Sequence, residues 1–272
     1  MAATYTVLGS RGYIGSHLAA HLGSLPGSTV HTDANALPGG SLGHVFFCVG
    51  VTTDFRSRLH DTMRAHVGEA MKVLDTCEFD SFTYLSSTRV YERGMSGDEN
   101  ATLQVQPAEL ADYYKISKIA GEAVCLAHPN PAVRVVRLSN VIGFEHPPLT
   151  FVPSIIHDAL KNGRIILNTA LDSAKDYITL EDTLCALVLI ALRGKERIYN
   201  LCSGHQTTHQ QIVECIAGQM HCEWMVNTNA QRVVFPTTTP TRLQTEFGFE
   251  PGSVLDALSS LCQRYTNASR VP

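Results

Sequence analysis

Two patterns of apolar residues alternate along this chain. Short apolar runs predict β-strands at residues 4–8, 28–32, 45–49, 81–86, 133–138 and 197–201. Longer segments with helical spacing predict a helix that opens in residues 9–15 and runs to about residue 23, and further helices at residues 57–77, 108–128, 154–162, 181–193, 207–220 and 253–264. This alternation favours a parallel sheet with helices on both faces.

Composition narrows the class of protein. The chain has 272 residues, which is enough for one large core or for one domain with an added lobe. Hydrophobic residues make up 44% and charged residues 17%, as in ordinary globular proteins. The net charge of -4 gives no reason to expect nucleic acid or an anionic membrane as a partner.

Sorting signals and metal-ligand patterns are not evident in the sequence. No apolar run approaches the roughly 20 residues that span a bilayer, and the first eight residues lack the basic start and apolar core of a signal peptide. We therefore expect a cytoplasmic protein with no membrane partner. The eight Cys and twelve His residues are scattered without the spacing of a metal site, so no metal is predicted.

A glycine pattern follows the first predicted strand and opens the first helix. Gly9, Gly12 and Gly15 are spaced by three, which permits a tight turn and close approach of the backbone to a pyrophosphate at the helix N-terminus. The alternative is a strand-to-helix turn that simply needs small residues. We expect a dinucleotide to be bound by the turn and its neighbours, namely Gly9, Arg11, Gly12, Tyr13, Ile14, Gly15, Asp33 and Val49.

Two charged residues bear on which dinucleotide is bound. Asp33 ends the second predicted strand, where an acid can accept hydrogen bonds from the adenosine ribose and repel a 2′-phosphate. Arg11 lies inside the glycine turn and could hold a 2′-phosphate. We favour NAD because of the acid, and NADP stays open because of the arginine.

Tyr114 and Lys118 are the only Tyr–Lys pair in the chain with this four-residue spacing. On a helix these positions share one face, so the phenol and the ammonium can meet the same ligand. A nearby cation lowers the pKa of a phenol, and such a phenol can exchange a proton with an alcohol or a ketone. We expect Tyr114 to be the acid/base, with Lys118 lowering its pKa and binding the nicotinamide ribose.

Ser86 and Ser87 stand where the fourth predicted strand ends. The carboxyl end of a parallel strand faces the ligand crevice, so Ser87 could hydrogen-bond the reacting oxygen while Tyr114 handles its proton. The alternative is a polar turn without a role in chemistry. The position of the pair between the glycine turn and Tyr114 favours the functional interpretation.

These motifs together resemble the extended short-chain dehydrogenase/reductase family, which comprises nucleotide-sugar epimerases, dehydratases and reductases. The resemblance covers nearly the whole chain. It rests on the glycine turn, on Tyr114 and Lys118, and on segments 86–91 (SSTRVY), 137–143 (RLSNVIG), 175–182 (KDYITLED), 199–204 (YNLCSG) and 243–251 (LQTEFGFEP).

The resemblance implies an α/β fold in two parts. A Rossmann-like, doubly wound parallel sheet would bind the dinucleotide in residues 1–140 and about 176–202. A small α/β C-terminal lobe would bind the substrate in residues about 141–175 and 203–272. The resemblance also implies a homodimer that pairs through the helices predicted at residues 57–77 and 108–128.

The resemblance assigns roles to individual residues as well. It implies that Tyr114 is the acid/base, that Lys118 is its partner, and that Ser87 orients the hydroxyl or ketone of a nucleotide sugar. It places Asn140 near the sugar diphosphate. Lys175 stands where relatives have an Arg that contacts the substrate, and a Lys keeps the charge but not the bidentate fork.

Three departures from the family pattern matter for function. The 4,6-dehydratases carry Thr-Asp-Glu before Val-Tyr, whereas this chain has Ser87, Thr88 and Arg89, which cannot supply the extra acid and base of a dehydration. Only ten residues separate Asp33 from His44, so we expect the sheet to be shortened after the second strand. His66 replaces a frequent Asn, either with a role at the site or as a helix residue satisfied by backbone.

Three functions are compatible with these observations. The first is an NAD(P)-dependent ketoreductase or dehydrogenase acting on a nucleotide-linked sugar. The second is a C4 epimerase, which would use the same residues and retain its NAD. The third is a non-catalytic dinucleotide-binding sensor or assembly factor, because a fold does not fix a function.

Overall fold

The strands and helices that the apolar pattern predicts recur, with shifted ends, in a computed structural model that describes residues 3–32, 41–145, 147 and 150–269. The strands in these residues are β1 (Thr4–Leu8), β2 (Thr29–Thr32), β3 (His44–Phe47), β4 (Ser81–Ser87), β5 (Val133–Leu138), β6 (Asn140–Ile142), β7 (Arg164–Thr169), β8 (Ala174–Thr179), β9 (Ile198–Leu201), β10 (Gln206–Thr208) and β11 (Glu223–Gln231). The helices are α1 (Tyr13–Gly23), α2 (Leu59–Met63), α3 (Glu69–Thr76), α4 (Tyr113–Ala127), α5 (Phe151–Asn162), α6 (Leu180–Arg193), α7 (His209–Met220), α8 (Thr241–Phe247) and α9 (Val254–Ala268).

Six strands form one parallel sheet in the order β2-β1-β3-β4-β5-β9. Alternate residues of its strands enter two different cores, as the two-residue period of a strand requires. On one face, Phe46 and Val136 pack with α1 and α6. On the other face, Val45 and Val135 pack with α3 and α4. The sheet is therefore covered by helices on both sides, and the predicted doubly wound fold is confirmed.

The sheet is short on the side of β2. Among the described residues β2 is the edge strand, and the chain returns to the other side of β1 as β3. In a full doubly wound sheet the next strand would extend the sheet beyond β2. Residues 33–40, and Asp33 with them, lie outside the described residues.

A second group of elements packs against the carboxyl end of the main sheet. It contains a three-stranded sheet in the order β10-β8-β6 and the parallel pair of β7 and β11. Helices α5, α7 and α9 share a separate apolar core with these strands, which includes Ile156, Ile212 and Leu258. The division into a cofactor domain and a substrate lobe, with the boundaries given above, stays a prediction.

Two predicted helices differ from the structure in an informative way. The helix expected at residues 57–77 is divided into α2, a π-helical turn at Arg64–Gly68, and α3. The helix expected at residues 108–128 begins at Tyr113, after a 3-10 turn at Leu110–Asp112. None of the helices in the described part of the chain has the length and apolar character that crossing a membrane requires.

Candidate active site

The turn between β1 and α1 packs backbone against backbone. Gly9 has a φ of +84°, which side chains disfavour, and a Cβ on it would lie 2.7 Å from the carbonyl carbon of Cys48. A Cβ on Gly15 would lie 2.9 Å from the carbonyl carbon of Gly9. Gly12 caps α1 without a side chain, which leaves the first N–H groups of the helix available to an anion.

A cleft of about 430 Å³ lies beside this turn, at the carboxyl ends of β1, β3, β4 and β5. Most of the site residues predicted from the sequence line it, namely Gly12, Tyr13, Ile14, Gly15, Val49, Ser87, Tyr114, Lys118 and Asn140. Gly9 and Arg11 line an adjacent cavity of about 510 Å³ that shares Gly12 and Val49 with the cleft. Lys175 lines a third cavity of about 240 Å³, which shares Arg89 and Asn140 with the cleft.

Lys118 is buried one helical turn after Tyr114 on α4. Its Nζ donates a hydrogen bond of 2.8 Å to the carbonyl of Leu85 and lies 5.3 Å from the centre of the Tyr84 ring. Burial lowers the pKa of Lys118 to about 8, and the carboxylate of Glu122 opposes that shift. The ammonium is thus held near the carboxyl end of β4, the strand that ends at Ser87.

Tyr114 is also buried, and the cation that acts to lower its pKa differs from the one expected. Burial raises the pKa of the phenol, whereas the Arg89 guanidinium and a hydrogen bond with Ser87 act to lower it. The Arg89 guanidinium lies 5.2 Å from the centre of the Tyr114 ring. The sequence predicts that Lys118 holds this pKa down; in the structure the pKa is raised overall, and the opposing cation is Arg89.

His66 connects to the backbone of Tyr114 through a chain of hydrogen bonds. The N–H of Val51 donates to His66 Nε2 over 3.1 Å, so the imidazole proton is on Nδ1. That N–H donates to Ser117 Oγ over 2.8 Å, and Ser117 donates to the Tyr114 carbonyl over 2.7 Å. Burial, with a contribution from Lys118, lowers the pKa of His66 to about 2, so the ring stays neutral.

The π-helical turn that carries His66 is fixed from the sheet. Tyr84 Oη donates a hydrogen bond of 3.0 Å to the carbonyl of His66. Gly121 of α4 lets this pair approach, because a Cβ there would lie 2.6 Å from Tyr84 Cζ and 2.7 Å from the His66 carbonyl oxygen. The π-helical turn, β4 and α4 are therefore packed as one unit.

Ser86 and Ser87 have different partners although they are adjacent. Ser86 donates to Glu122, which also forms a buried ion pair of 2.7 Å with Arg137. Both serines line the cleft, and Ser87 Oγ accepts a hydrogen bond from the N–H of Arg89 over 3.3 Å. Successive side chains of a strand point to opposite faces, which joins the Ser86 hydroxyl to Glu122 of α4 and leaves the Ser87 hydroxyl next to Arg89 and Tyr114.

Asn140 and Lys175 come from the second group of elements. Asn140 Nδ2 donates 2.8 Å to the carbonyl of Asp176, which joins β6 to β8. Lys175 Nζ lies 5.5 Å from the centre of the Phe235 ring. Burial and the charge of Arg89 lower the pKa of Lys175, while Glu92 opposes the shift.

Several residues around the site were not assigned a place there by the sequence. Arg89 was noted only as a departure from the dehydratase pattern, although its position two residues after Ser87 could have indicated the cleft. Ser117 and Glu122 lie on the helix of Tyr114, where helical spacing could have found them. Phe235 has no signal in the sequence, because a loop residue reaches the site only through the folded chain.

Metal chemistry has no support from side-chain clusters. Within the part of the chain that the structure describes, no group of three or more His, Cys, Asp or Glu residues could hold a metal ion.

Known proteins were compared with the chain. A model of the NAD dependent epimerase/dehydratase family matches residues 41–202, and no curated protein sequence matches. The solved structure of RMD from Pseudomonas aeruginosa complexed with NADPH is 20% identical, covers 96% of this chain and 99% of that chain, and has a TM-score of 0.79.

Two further solved structures share the fold. The dTDP-glucose 4,6-dehydratase from Bacillus anthracis in complex with NAD is 18% identical, with coverage of 98% of this chain and 97% of that chain and a TM-score of 0.77. The UDP-glucuronic acid 4-epimerase from Bacillus cereus in complex with NAD is 14% identical, with coverage of 99% and 98% and a TM-score of 0.81. Because the family match spans more than half of the sequence, the chain belongs to the NAD dependent epimerase/dehydratase family.

Proposed function

We propose that this protein is an NAD(P)-dependent oxidoreductase that acts on a nucleotide-linked sugar, as a ketoreductase or a dehydrogenase. The observation that carries the proposal is that Ser87, Tyr114 and Lys118 line the same cleft as the glycine turn. An acid/base, a hydrogen-bonding group for the substrate oxygen and a cofactor site therefore meet in one place.

The residues of the turn suit a dinucleotide. Gly9 and Gly15 leave no room for a Cβ, so the backbone can approach a pyrophosphate closely. A bound nicotinamide would supply or accept the hydride, and Lys118 would hold its ribose. NAD is the preferred cofactor because of Asp33, and NADP stays open because Arg11 lines the cavity beside the turn.

Tyr114 would move the proton. Its pKa is raised by burial, so the phenol is protonated near neutral pH and can act as an acid toward the oxygen of a ketone. Ser87 would hold that oxygen. Because the phenol of Tyr114 carries its proton in the free protein, this state supports reduction of a ketone over oxidation of an alcohol.

The substrate would lie between the cleft and the second group of elements. Asn140 lines both the cleft and the cavity of Lys175, so a ligand that fills both would pass this side chain. Two of the structural neighbours are named for dTDP-glucose and UDP-glucuronic acid, which supports a nucleotide sugar. We also propose a homodimer through the helices of residues 57–77 and 108–128, which sedimentation velocity can test.

Dehydration and epimerisation are the other reactions of the family. Dehydration is disfavoured because Arg89 occupies the sequence position at which the 4,6-dehydratases carry a Glu. In this protein a cation therefore lies next to the Tyr114 ring. C4 epimerisation is the second candidate, because it needs the same three residues and one neighbour is named as a 4-epimerase. Nucleotide released on denaturation of the purified protein would favour the epimerase, and a requirement for added cofactor would favour the reductase.

The test is reduction of nucleotide-linked 4-keto sugars with NADH or NADPH by the purified protein. We expect turnover that Tyr114→Phe lowers by about 100-fold or more, as for loss of a general acid. Tyr113→Phe is the matched control, since its hydroxyl donates to the carbonyl of Leu59 instead. If the protein turns over none of these keto sugars, the reductase proposal is contradicted. If Tyr114→Phe keeps full biological activity, both the reductase and the C4 epimerase are contradicted, and a non-catalytic role is favoured.

A further inference from the structure

Arg89 stands at the boundary between two cavities. It belongs to the 3-10 turn Thr88–Tyr91 at the end of β4. Its side chain lines both the cleft that contains Tyr114 and the smaller cavity that contains Lys175. Because its guanidinium is 5.2 Å from the centre of the Tyr114 ring, it lies beside the part of a substrate that reacts.

Neither cation of this boundary has an acid partner. Among the described residues, Arg89 and Lys175 form no ion pair with Asp or Glu. Two acids line the smaller cavity, but both are engaged elsewhere. Glu92 pairs with Lys115 over 2.9 Å, and Asp176 accepts hydrogen bonds from the Ser203 hydroxyl and from the N–H groups of residues 203–205.

Each of these half-buried cations lies over an aromatic ring, but two like charges without an acid partner are still unfavourable. Each has lost part of its hydration, and the two repel each other across the cavity. A neutral ligand would deepen this cost by removing more water, whereas an anion would offset it with charge-assisted hydrogen bonds. The diphosphate of a nucleotide sugar provides one such anion, but Arg89 lies at the Tyr114 end, where the sugar ring itself would be.

We propose that Arg89 binds a carboxylate carried by the sugar, so that the substrate is a nucleotide-linked sugar acid. The planar guanidinium matches a carboxylate through two parallel hydrogen bonds. Lys175, which lines the smaller cavity and not the cleft of Tyr114, then serves the diphosphate. This inference rests on the proposed function and names its substrate class.

The test compares matched acidic and neutral ligands on the full-length protein with NAD added. Binding of UDP-glucuronate and UDP-glucose, and of GDP-mannuronate and GDP-mannose, is measured by calorimetry. In the pair whose nucleotide fits, we expect the acid to bind about tenfold more tightly or better. Arg89→Met should abolish most of that preference, and Arg89→Lys should keep part of it.

Two further variants distinguish binding of the carboxylate from binding of the diphosphate and from an effect of net charge. Lys175→Met should weaken both members of a pair by the same factor, since both carry the diphosphate. Arg64→Met is the control for net charge, because the Arg64 side chain is 70% exposed and pairs only with Asp61 among the described residues, and it should change neither affinity.

Two results would overturn the inference and leave the proposed function standing. One is a neutral sugar that binds as tightly as its acid. The other is an equal loss for both members in Arg89→Met, which would assign Arg89 to the diphosphate. If none of the four ligands binds while NAD does, the nucleotide-sugar part of the proposed function fails, and this inference fails with it.

Discussion

Tyr114 and Arg89 lie next to each other in the cleft, and the guanidinium acts on the charge state that the phenol favours. The phenol is buried, which favours its protonated form, and the guanidinium beside it favours the phenolate. Lys118 donates a hydrogen bond to the carbonyl of Leu85, and the groups that act to lower the pKa of Tyr114 are Arg89 and Ser87. The acidity of the phenol therefore depends on a residue outside the Tyr–Lys motif.

This dependence predicts a change in pH profile. In the direction of alcohol oxidation, kcat should rise with pH as Tyr114 loses its proton. Arg89→Met removes the opposing cation, so the pKa of Tyr114 should rise and the pH of half-maximal kcat should move upward. Steady-state rates at saturating substrate check this, with Arg89→Lys as the charge-preserving control. An unchanged midpoint would show that Arg89 does not act on the phenol.

His66 provides a second prediction, for stability. Its pKa is lowered to about 2 in the folded protein, mainly by burial, whereas an unfolded His titrates near pH 6.5. Below that value the unfolded chain binds a proton that the folded chain does not, so stability falls as pH falls. Relative to His66→Gln, the wild type should lose roughly 1.4 kcal/mol more per pH unit below about pH 6.

Urea unfolding at several pH values between 5 and 7.5 measures this difference in slope. His157→Gln is the control, because His157 lies exposed on α5, and it should follow the wild type. Parallel slopes for the wild type and His66→Gln would mean that His66 takes up its proton as readily in the folded protein as in the unfolded chain, and would contradict the prediction.

Helix α4 carries Tyr114 and Lys118, and it approaches the sheet and the π-helical turn closely at a glycine. Gly121 faces the Tyr84 ring and the carbonyl of His66 at distances that exclude a Cβ. Helix propensity alone would favour Ala at this position. The packing against the π-helical turn outweighs that preference.

Gly121→Ala should therefore lower the free energy of unfolding by roughly 1–3 kcal/mol, the usual cost of overpacking. It should also lower kcat, because a shift of α4 displaces Tyr114 and Lys118, which lie on this helix. Gly218→Ala on α7 is the matched control, because a Cβ there meets no atom within 4 Å, and it should raise stability by about 0.4–1 kcal/mol. Urea unfolding and steady-state rates measure both variants, and equal stabilities would contradict the packing argument.

Across the whole molecule, a buried polar network ties the catalytic helix to the sheet and to the C-terminal segments. Arg137 of β5 pairs with Glu122 of α4 and donates 2.7 Å to Tyr91 Oη. Tyr91 donates 2.8 Å to Asn200 of β9, whose amide donates 3.1 Å to the carbonyl of Thr239. The network spans segments that are far apart in the chain.

Removing one charge from this network should destabilise the whole fold. Glu122→Gln leaves the Arg137 guanidinium buried without a counter-charge, at a cost of roughly 3–5 kcal/mol. The exposed Glu223→Gln should change stability by less than about 0.5 kcal/mol. Chemical unfolding measures both, and a loss below about 1 kcal/mol for Glu122→Gln would show that the pair contributes little.

The elements that the sequence predicted well are those with strong local signals. The parallel strands β1, β4 and β5 are buried at nearly every position and are rich in apolar and β-branched residues, which is a strong local signal for a central strand. The short strands β6 and β10 have three residues each, and β11 is largely exposed. Such strands exist because a neighbouring strand pairs with them, which no local pattern records.

The same distinction holds for the site. The glycine turn and the helical spacing of Tyr114 and Lys118 involve residues that are close together in the chain, so the sequence alone was sufficient to predict them as site residues. The approach of Arg89 to Tyr114, the chain from Val51 through His66 to Ser117, and the cavity shared with Lys175 join segments that only folding brings together. Desolvation and charge act through space, so pKa values and unpaired cations were settled by the packed structure.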